Sequence, residues 1–312
     1  MHESAALTTG GCNKLTNLAF FGTPEAAVTP LRALYAAGHD IRIVVTRGDR
    51  RRGRGPAVGP SPVKKAALDL GLPVTERIDD VVDAGAELGV VVAFGRLIRP
   101  HILAALPIVN LHFSLLPRWR GAAPVERAIL AGDRETGVCL MTLDEGLDTG
   151  PVHGCRTVPI GPDETADELR TTLVEEGTDL LLEQLRDGLT PPVPQQGTPT
   201  YAPKIEPVEL QLDWTKEASQ LCRVVRLGRA WTVFRGRRLR VLQARVVAAP
   251  MGHPARPGAL VGLVVATGRG GLELLEVQPE GKAPMSASGW RNGARPAPAE
   301  ALGGGAFGGL CE

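Results

Sequence analysis

The chain of 312 residues is about twice as long as a typical domain, so we expect two domains that each bury a core. Hydrophobic residues make up 43% of it and charged residues 22%, which excludes a disordered chain. The net charge of +1 conceals an asymmetry, because residues 1–189 hold 20 basic and 25 acidic side chains and residues 190–312 hold 15 and 9. This asymmetry indicates that one domain carries chemistry and the other contacts a polyanion.

The cysteines argue against structural cross-links. They are Cys12, Cys139, Cys155, Cys222 and Cys311, an odd number without a CxxC pair. This pattern argues against a disulfide framework and a zinc site, and it favours a reducing cytoplasm. The first 16 residues have no apolar signal segment, and no stretch approaches the ~18 apolar residues of a membrane span. We therefore expect a cytoplasmic protein without membrane contact.

The first half of the chain alternates predicted strands with predicted helices. Strands are expected at Leu18–Phe21, Ile41–Val45, Leu88–Ala93, Ile108–His112, Thr136–Leu143 and Pro151–Ile160. Helices are expected after Pro24, at Ser61–Leu70 and at Asp163–Asp187. This order predicts an α/β fold with a mostly parallel, Rossmann-like sheet covered by helices on both faces. The loops after the parallel strands then meet at one edge, where such folds bind ligands.

A second domain is predicted after a proline-rich segment. Residues 191–207 contain six prolines and no hydrophobic period, which indicates a linker. Beyond it, Asp213 is expected to cap a helix that runs to about Leu227. Short strands typical of a small barrel or sandwich should follow. The tail from Arg291 is expected to be loose. The predicted divisions are an N-terminal extension at 1–16, a first domain at 17–190, a linker at 191–207 and a second domain at 208–312.

Polar residues gather after the strand at Ile108–His112. Asn110 and His112 are two residues apart, so a strand turns both side chains to the same face. Asp148 lies in a glycine-punctuated loop with three carboxylates in five residues, more than a bare hairpin needs. An amide, an imidazole and a carboxylate form the kind of constellation that active sites use. The first strand lacks the three-glycine spacing of dinucleotide-binding proteins, and no Walker loop or HExxH motif is present.

Six motifs carry a resemblance to a known family. They are Phe21-Gly-Thr-Pro24, Pro60-Ser-Pro-Val-Lys64, Asn110-Leu-His112, Ser114-Leu-Leu-Pro-Arg-Trp-Arg-Gly-Ala-Ala-Pro124, Gly146-Leu-Asp-Thr-Gly150 and Tyr201-Ala-Pro-Lys204. Together they closely resemble the methionyl-tRNA formyltransferases, over roughly residues 17–292. The Asn-x-His and Ser-Leu-Leu-Pro motifs are shared by the formyltransferases that use 10-formyltetrahydrofolate. The Arg-Trp-Arg-Gly-Ala-Ala-Pro continuation and Tyr201–Lys204 resemble the tRNA enzymes in particular.

The resemblance implies a reaction and roles for three residues. The formyl group passes from N10 of the folate to the α-amine of methionine on initiator tRNA. By resemblance, Asn110 donates a hydrogen bond to the developing oxyanion, His112 adds a second donor and passes protons, and Asp148 orients His112. The formyl donor is a co-substrate, and the resemblance implies no metal.

The resemblance also implies a folate pocket and a tRNA surface. The predicted folate-contacting residues are Ser114, Leu115, Leu116, Pro117, Phe94 and Gly95. The predicted tRNA-contacting residues are Arg50, Arg52, Arg54, Lys204, Arg235, Arg237 and Arg238. The second domain is similar to the family's small OB-like barrel, and eight arginines between 223 and 245, with no acid among them, suit a phosphate-tracking surface. The chain departs from the family at one turn, because it reads Gly228-Arg-Ala-Trp231 where the family often has an Asn-Pro-x-Pro-like turn. We expect the protein to be a monomer.

Two alternatives stay open. Another enzyme that uses 10-formyltetrahydrofolate, acting on a sugar nucleotide or on glycinamide ribonucleotide, would share Asn110, His112 and Asp148 but would need no basic second domain. A folate-binding or RNA-binding homologue without activity would be expected to have lost part of the constellation, and all three residues are present.

Overall fold

The computed structural model describes residues 16–51, 58–249, 256–298 and 300–303. The strands are β1 (Asn17–Gly22), β2 (Asp40–Val45), β3 (Arg50–Arg51), β4 (Val58–Gly59), β5 (Val74–Thr75), β6 (Leu88–Val92), β7 (Ile108–His112), β8 (Arg120–Gly121), β9 (Glu135–Thr142), β10 (Val152–Pro159), β11 (Tyr201–Ala202), β12 (Trp231–Phe234), β13 (Arg237–Val247), β14 (Leu260–Val261), β15 (Val264–Ala266), β16 (Gly271–Pro279) and β17 (Met285–Ser286). The α-helices are α1 (Val28–Ala36), α2 (Pro62–Asp69), α3 (Pro100–Ala105), α4 (Pro124–Ala131), α5 (Ala166–Asp187), α6 (Ala218–Arg226) and α7 (Ala287–Ala294). The predicted site residues Arg52 and Arg54, and the side chain of Arg50, lie outside this description.

The described residues form two compact units. The first contains the residues up to Arg120 together with 137–158 and 172–200. The second contains 121–136, 159–171 and the residues from Tyr201 onward. The sequence-based divisions at 17–190, 191–207 and 208–312 remain predictions.

A seven-stranded sheet is the centre of the first unit. Its strand order is β10-β9-β7-β6-β1-β2-β5. Strands β5, β2, β1, β6 and β7 are parallel to one another, whereas β9 is antiparallel to β7. The predicted α/β class with a mostly parallel sheet is therefore confirmed, and the antiparallel neighbour makes the sheet mixed.

Continuously apolar strands explain why this sheet is buried. All residues of β6 and β7 are buried, and so is β1 beyond Asn17. Phe21 of β1 meets Phe94, just after β6, in an edge-to-face contact with ring centroids 5.6 Å apart. Gly22 pairs with Val92, and Val92 pairs with Leu111, so the carboxyl ends of β1, β6 and β7 lie at the same edge. This edge is where the polar residues after β7 emerge.

Two helix beginnings show how side chains set the element bounds. Ser61 precedes α2, and its Oγ accepts a hydrogen bond from the backbone N–H of Lys64 at 3.0 Å, as expected for an N-cap. The long helix was predicted from Asp163 but α5 begins at Ala166. At this end the side chains of Thr165 and Glu168 each accept a hydrogen bond from the other residue's backbone N–H group. This capping box sets the start of α5 three residues after the predicted start.

The second unit contains a six-stranded antiparallel sheet. Its path is β12-β13-β16-β15-β14, with β17 paired to β16. Helix α6 packs on β13, and the buried side chains of Leu221, Val225 and Trp290 belong to one core with the strands. The prediction of a β-rich second domain is confirmed.

Two local predictions for this unit are wrong. Asp213 does not cap α6, because its Oδ1 accepts from the backbone N–H and hydroxyl of Thr215, and Glu217 with Gln220 forms the capping box instead. The chain from Arg291 is not loose at its start, because α7 continues to Ala294 after the buried Trp290. A bulky aromatic anchors this helix despite the glycine-rich sequence that follows.

The structure also contains a disulfide between Cys139 on β9 and Cys155 on β10. The sequence pattern had argued against disulfides, and this prediction is wrong for this pair. The two cysteines are 16 residues apart and meet because β9 and β10 are neighbours in the sheet, a contact that spacing alone does not reveal.

Within the described ranges, no helix is long and apolar enough to cross a membrane.

Candidate active site

The imidazole of His112 lies between two oxygen atoms at the carboxyl end of β7. Its Nδ1 is 3.6 Å from Oδ2 of Asp148, and its Nε2 is 2.9 Å from the backbone oxygen of Trp119. A carbonyl oxygen can only accept a hydrogen bond, so Nε2–H is the donor in this arrangement. The other nitrogen faces a carboxylate at a distance typical of a charge contact rather than a direct hydrogen bond. An N–H on either nitrogen therefore meets an acceptor.

The side chains of the His112–Asp148 pair are nearly buried. The side chains of His112 and Asp148 are 6% and 13% exposed, so the carboxylate acts on the imidazole with little intervening water. No described cluster of three or more His, Cys, Asp or Glu residues could hold a metal ion. The site as described consists of an imidazole, a carboxylate and a backbone carbonyl.

Asn110 is placed on the same face of β7 as His112. Strand alternation turns Leu111 to the other face, where it packs near Gly177 of α5. Asn110 is 8% exposed, yet no group in the described part of the chain hydrogen-bonds its side-chain amide. A nearly buried amide without an internal partner is suited to bind a substrate oxygen.

The loop that presents Asp148 has an unusual backbone. Asp148 has a φ of 52°, a left-handed conformation that non-glycine residues rarely adopt. Two residues later, a Cβ on Gly150 would lie 1.9 Å from the backbone oxygen of Thr142, so only glycine fits there. Asp144 closes the start of the loop by accepting from the Gly146 N–H and the Thr149 hydroxyl. Local packing therefore holds the carboxylate at a fixed position.

Comparisons with known proteins identify the family of the chain. A family model described as formyl transferase matches residues 16–185, and one described as formyl transferase, C-terminal domain, matches residues 204–295. The chain belongs to the formyl transferase family. It is 44% identical to methionyl-tRNA formyltransferase of Symbiobacterium thermophilum, across 89% of this chain and 93% of that protein.

A second relative and a solved structure are also similar to this chain. The chain is 45% identical to methionyl-tRNA formyltransferase of Methylococcus capsulatus, across 88% of this chain and 96% of that protein. Among solved structures it is similar to the N-formyltransferase from Helicobacter canadensis in complex with folinic acid and dTDP-3-aminofucose, with a TM-score of 0.65 and 16% identity. That likeness covers 85% of this chain and all of the other, and it concerns the fold alone.

The segment of this formyl transferase that is predicted to form a folate wall follows β7 directly and packs on β9. Ser114 is fully buried, and its hydroxyl donates to the backbone oxygen of Arg118 at 2.6 Å. Leu115 packs on Gly137 of β9, where a Cβ would come within 2.4 Å of a Leu115 methyl carbon. Leu115, Leu116 and Pro117 are half-buried, so part of their apolar surface stays accessible. Their contact with folate remains a prediction.

Phe94 and Gly95 occupy different environments after β6. Phe94 is 3% exposed and belongs to the core with Phe21, which leaves little of its ring for a ligand. Gly95 is exposed with a φ of 63°, and its backbone oxygen accepts a hydrogen bond from Arg47. The exposed loop is therefore the better candidate for a folate contact than the Phe94 ring.

The predicted tRNA-contacting residues of the second unit also differ from one another. Arg235 is engaged internally, with its guanidinium 2.7 Å from Glu300 and hydrogen-bonded to the backbone oxygens of Ala294 and Arg295. Arg237 and Arg238 are exposed and line a cavity of about 300 Å³ that Trp290 and Lys282 also line. Arg238 additionally covers the ring of Trp231, with its guanidinium carbon 4.1 Å from the ring centroid. Lys204 is exposed at the end of its motif.

The Arg235–Glu300 pair leads to a prediction about stability. Hydrogen bonds from Arg235, and then from the Ala297 N–H, lower the pKa of Glu300 to about 2. A lowered folded-state pKa adds stability above the ordinary glutamate pKa of 4.5, and this contribution is lost as the pH falls toward 2. Glu300→Gln should therefore lower the melting temperature at pH 7, and the difference from the parent protein should shrink between pH 4.5 and 2. Thermal unfolding followed by circular dichroism measures it, with Glu175→Gln on the exposed face of α5 as the control. An equal difference at all pH values would contradict the assignment.

Sequence reasoning missed two side chains beside the site. Gln195 lies in the proline-rich segment and hydrogen-bonds the backbone of the Asp148 loop, and Arg120 hydrogen-bonds Gln195. A glutamine in a predicted linker has no hydrophobic or charge pattern, so only its neighbourhood in the folded chain reveals it.

Proposed function

We propose that this formyl transferase moves a formyl group from 10-formyltetrahydrofolate to the α-amine of methionyl-tRNA, forming formylmethionyl-tRNA for translation initiation. The observation that carries the proposal is the buried group of Asn110, His112 and Asp148 at the carboxyl edge of the sheet, in a chain that matches methionyl-tRNA formyltransferases over nearly their whole length. The basic second domain favours a tRNA acceptor over a small sugar nucleotide.

Asn110 is proposed to stabilise the charge that develops on the formyl oxygen. Attack by the amine converts the formyl carbon to a tetrahedral centre and places negative charge on that oxygen. The Asn110 amide is held by a strand and has no partner to exchange in the described part of the chain, so it is preorganised for this oxygen. The amide needs no rearrangement during the reaction.

His112 is proposed to take up the proton of the attacking amine and to supply one to N10 of the departing folate. Asp148 faces Nδ1 and stabilises the imidazolium that forms when the ring is protonated. With the imidazole proton on Nδ1, beside Asp148, Nε2 has the lone pair that takes up the amine proton, in place of its hydrogen bond to the Trp119 carbonyl.

The acceptor is proposed to contact basic residues of both units. Arg54, with Arg50 and Arg52, is assigned to the acceptor stem, and Arg237 and Arg238 are assigned to phosphates. A cytoplasmic location follows from this acceptor, because charged tRNAs are made and used there.

The direct test is an acceptor comparison. The protein is incubated with formyl-labelled 10-formyltetrahydrofolate and, in separate reactions, methionyl-tRNA, free methionine and an amino-sugar nucleotide. Label should appear on methionyl-tRNA and be released as formylmethionine after deacylation. Transfer to the sugar nucleotide in preference to methionyl-tRNA would contradict the proposal, and so would an absence of transfer to every acceptor.

The assignment of the basic surface predicts a salt dependence. Each phosphate contact releases counterions, so removing one cation that contacts phosphate lowers the slope of log affinity against log salt by about 1. Arg237→Ala should weaken methionyl-tRNA binding and flatten this slope, and leave the KM for folate unchanged. Filter binding between about 50 and 200 mM salt measures it. Arg186→Ala, which removes an exposed arginine paired with Asp187, is the matched control, and equal slopes for the two variants would overturn the Arg237 assignment.

A further inference from the structure

We propose that Gln195 is a positioning residue that fixes Asp148 beside His112 during formyl transfer. The inference rests on the proposed function, because it concerns how the same site is held in place. Gln195 does not touch the imidazole, so it acts through the backbone of the Asp148 loop.

The hydrogen bonds of Gln195 determine its orientation. Its Oε1 accepts from Nη2 and Nε of Arg120 at 2.6 and 3.1 Å. A guanidinium only donates hydrogen bonds, so the oxygen of the amide must face Arg120 and the nitrogen must face away. This nitrogen is 2.8 Å from the backbone oxygens of both Asp148 and Gly150. The amide group is therefore fully used, and rotating it would place an oxygen against two carbonyls.

These hydrogen bonds are made to a loop whose backbone has an unfavourable conformation. Asp148 has the left-handed φ of 52°, which a non-glycine residue seldom keeps unless its surroundings enforce it. Gln195 binds the carbonyl of Asp148 itself and that of Gly150, on either side of Thr149. Both bonds therefore hold the chain directly C-terminal to the Cα atom that carries the Asp148 carboxylate.

The segment that carries Gln195 is anchored at both ends. Val193 exchanges two backbone hydrogen bonds with Val152 at 2.8 and 2.9 Å. Thr200 accepts from the N–H of Arg120 through its backbone oxygen and from the N–H of Trp119 through its hydroxyl, both at 2.9 Å. Residues 193–200 thus fix both oxygens that face His112, the Asp148 carboxylate through Gln195 and the Trp119 carbonyl through Thr200.

The chain offers a closely matched test. Gln195→Glu keeps the size of the side chain and the acceptor for Arg120, but it replaces the donor nitrogen by a carboxylate oxygen that repels the two carbonyls. The neighbouring Gln196 is exposed, so Gln196→Glu adds the same charge at the next position. We expect Gln195→Glu to lower kcat about 10–100-fold, as losses in supporting shells do, with the KM values for folate and methionyl-tRNA changed less than about 3-fold. Gln196→Glu should match the parent protein.

A double-mutant cycle separates positioning from general destabilisation. If Gln195 acts through Asp148, Gln195→Glu should have an effect of less than about 3-fold when Asp148→Asn is already present. Arg120→Lys, which keeps the charge but loses the forked donor, should reproduce a smaller kcat loss and remains informative if Gln195→Glu folds poorly. Equal kcat losses in the parent and Asp148→Asn backgrounds, or parent-like activity of both Gln195→Glu and Arg120→Lys, would overturn the inference. An inactive parent protein would instead reject the proposed function, and this inference with it.

Discussion

His112→Ala is expected to lower kcat for formyl transfer by about 10²–10⁴-fold, the range for loss of a general acid-base group. The imidazole meets both a carboxylate and a carbonyl at the carboxyl end of β7. In the proposed mechanism this imidazole carries both the proton of the amine and the proton given to the departing nitrogen. Binding of folate should persist, because the predicted pocket wall at residues 114–117 does not depend on the imidazole. Single-turnover kinetics with labelled donor measure the chemical step without product release.

His153 supplies the control for this experiment. It also hydrogen-bonds a side chain and a carbonyl, Thr142 Oγ1 at 2.9 Å and the Thr190 oxygen at 2.7 Å, but it faces neither Asp148 nor Trp119 in these bonds. His153→Ala should retain a kcat within a few-fold of the parent. Equal losses for the two histidine variants would mean that His112 acts through stability and not through chemistry.

Asn110→Ala is expected to lower kcat by about 10²–10³-fold, the loss measured for other oxyanion donors. The substrate KM values should change little, because the hydrogen bond strengthens when the formyl oxygen becomes charged. Stability should fall only slightly, since no described group loses a hydrogen bond to the Asn110 side chain.

Steady-state kinetics at saturating folate, together with a thermal melt, separate these effects. Asn292→Ala on the exposed face of α7 serves as a control for the loss of an asparagine amide. A rise in KM at constant kcat would instead assign Asn110 to ground-state binding.

The sequence predicted the fold and part of the site because their signals are local. Continuous apolar runs identified β1, β6 and β7, and the two-residue alternation on β7 placed Asn110 and His112 on the same face. The start of α5 was missed because the Thr165–Glu168 capping box competes with the acidic residues before it.

Contacts between distant segments were not predictable in the same way. Asp148 was associated with His112 by its loop composition and by family resemblance, since nothing local places residue 148 within 3.6 Å of residue 112. Gln195, the carbonyl of Trp119 and the Cys139–Cys155 bond depend on which strands and loops become neighbours. Their spacing along the chain carries no such information.

The proposed reaction requires that Asn110 and His112 meet the formyl group at the end of β7. The most direct measurement is a crystal structure with a slowly transferring folate analogue that carries a formyl group on N10. The formyl oxygen should lie about 2.7–3.2 Å from the Asn110 side-chain nitrogen, with the formyl carbon beside the His112 ring. A formyl group bound away from both side chains, in a protein that still formylates methionyl-tRNA, would contradict the mechanism.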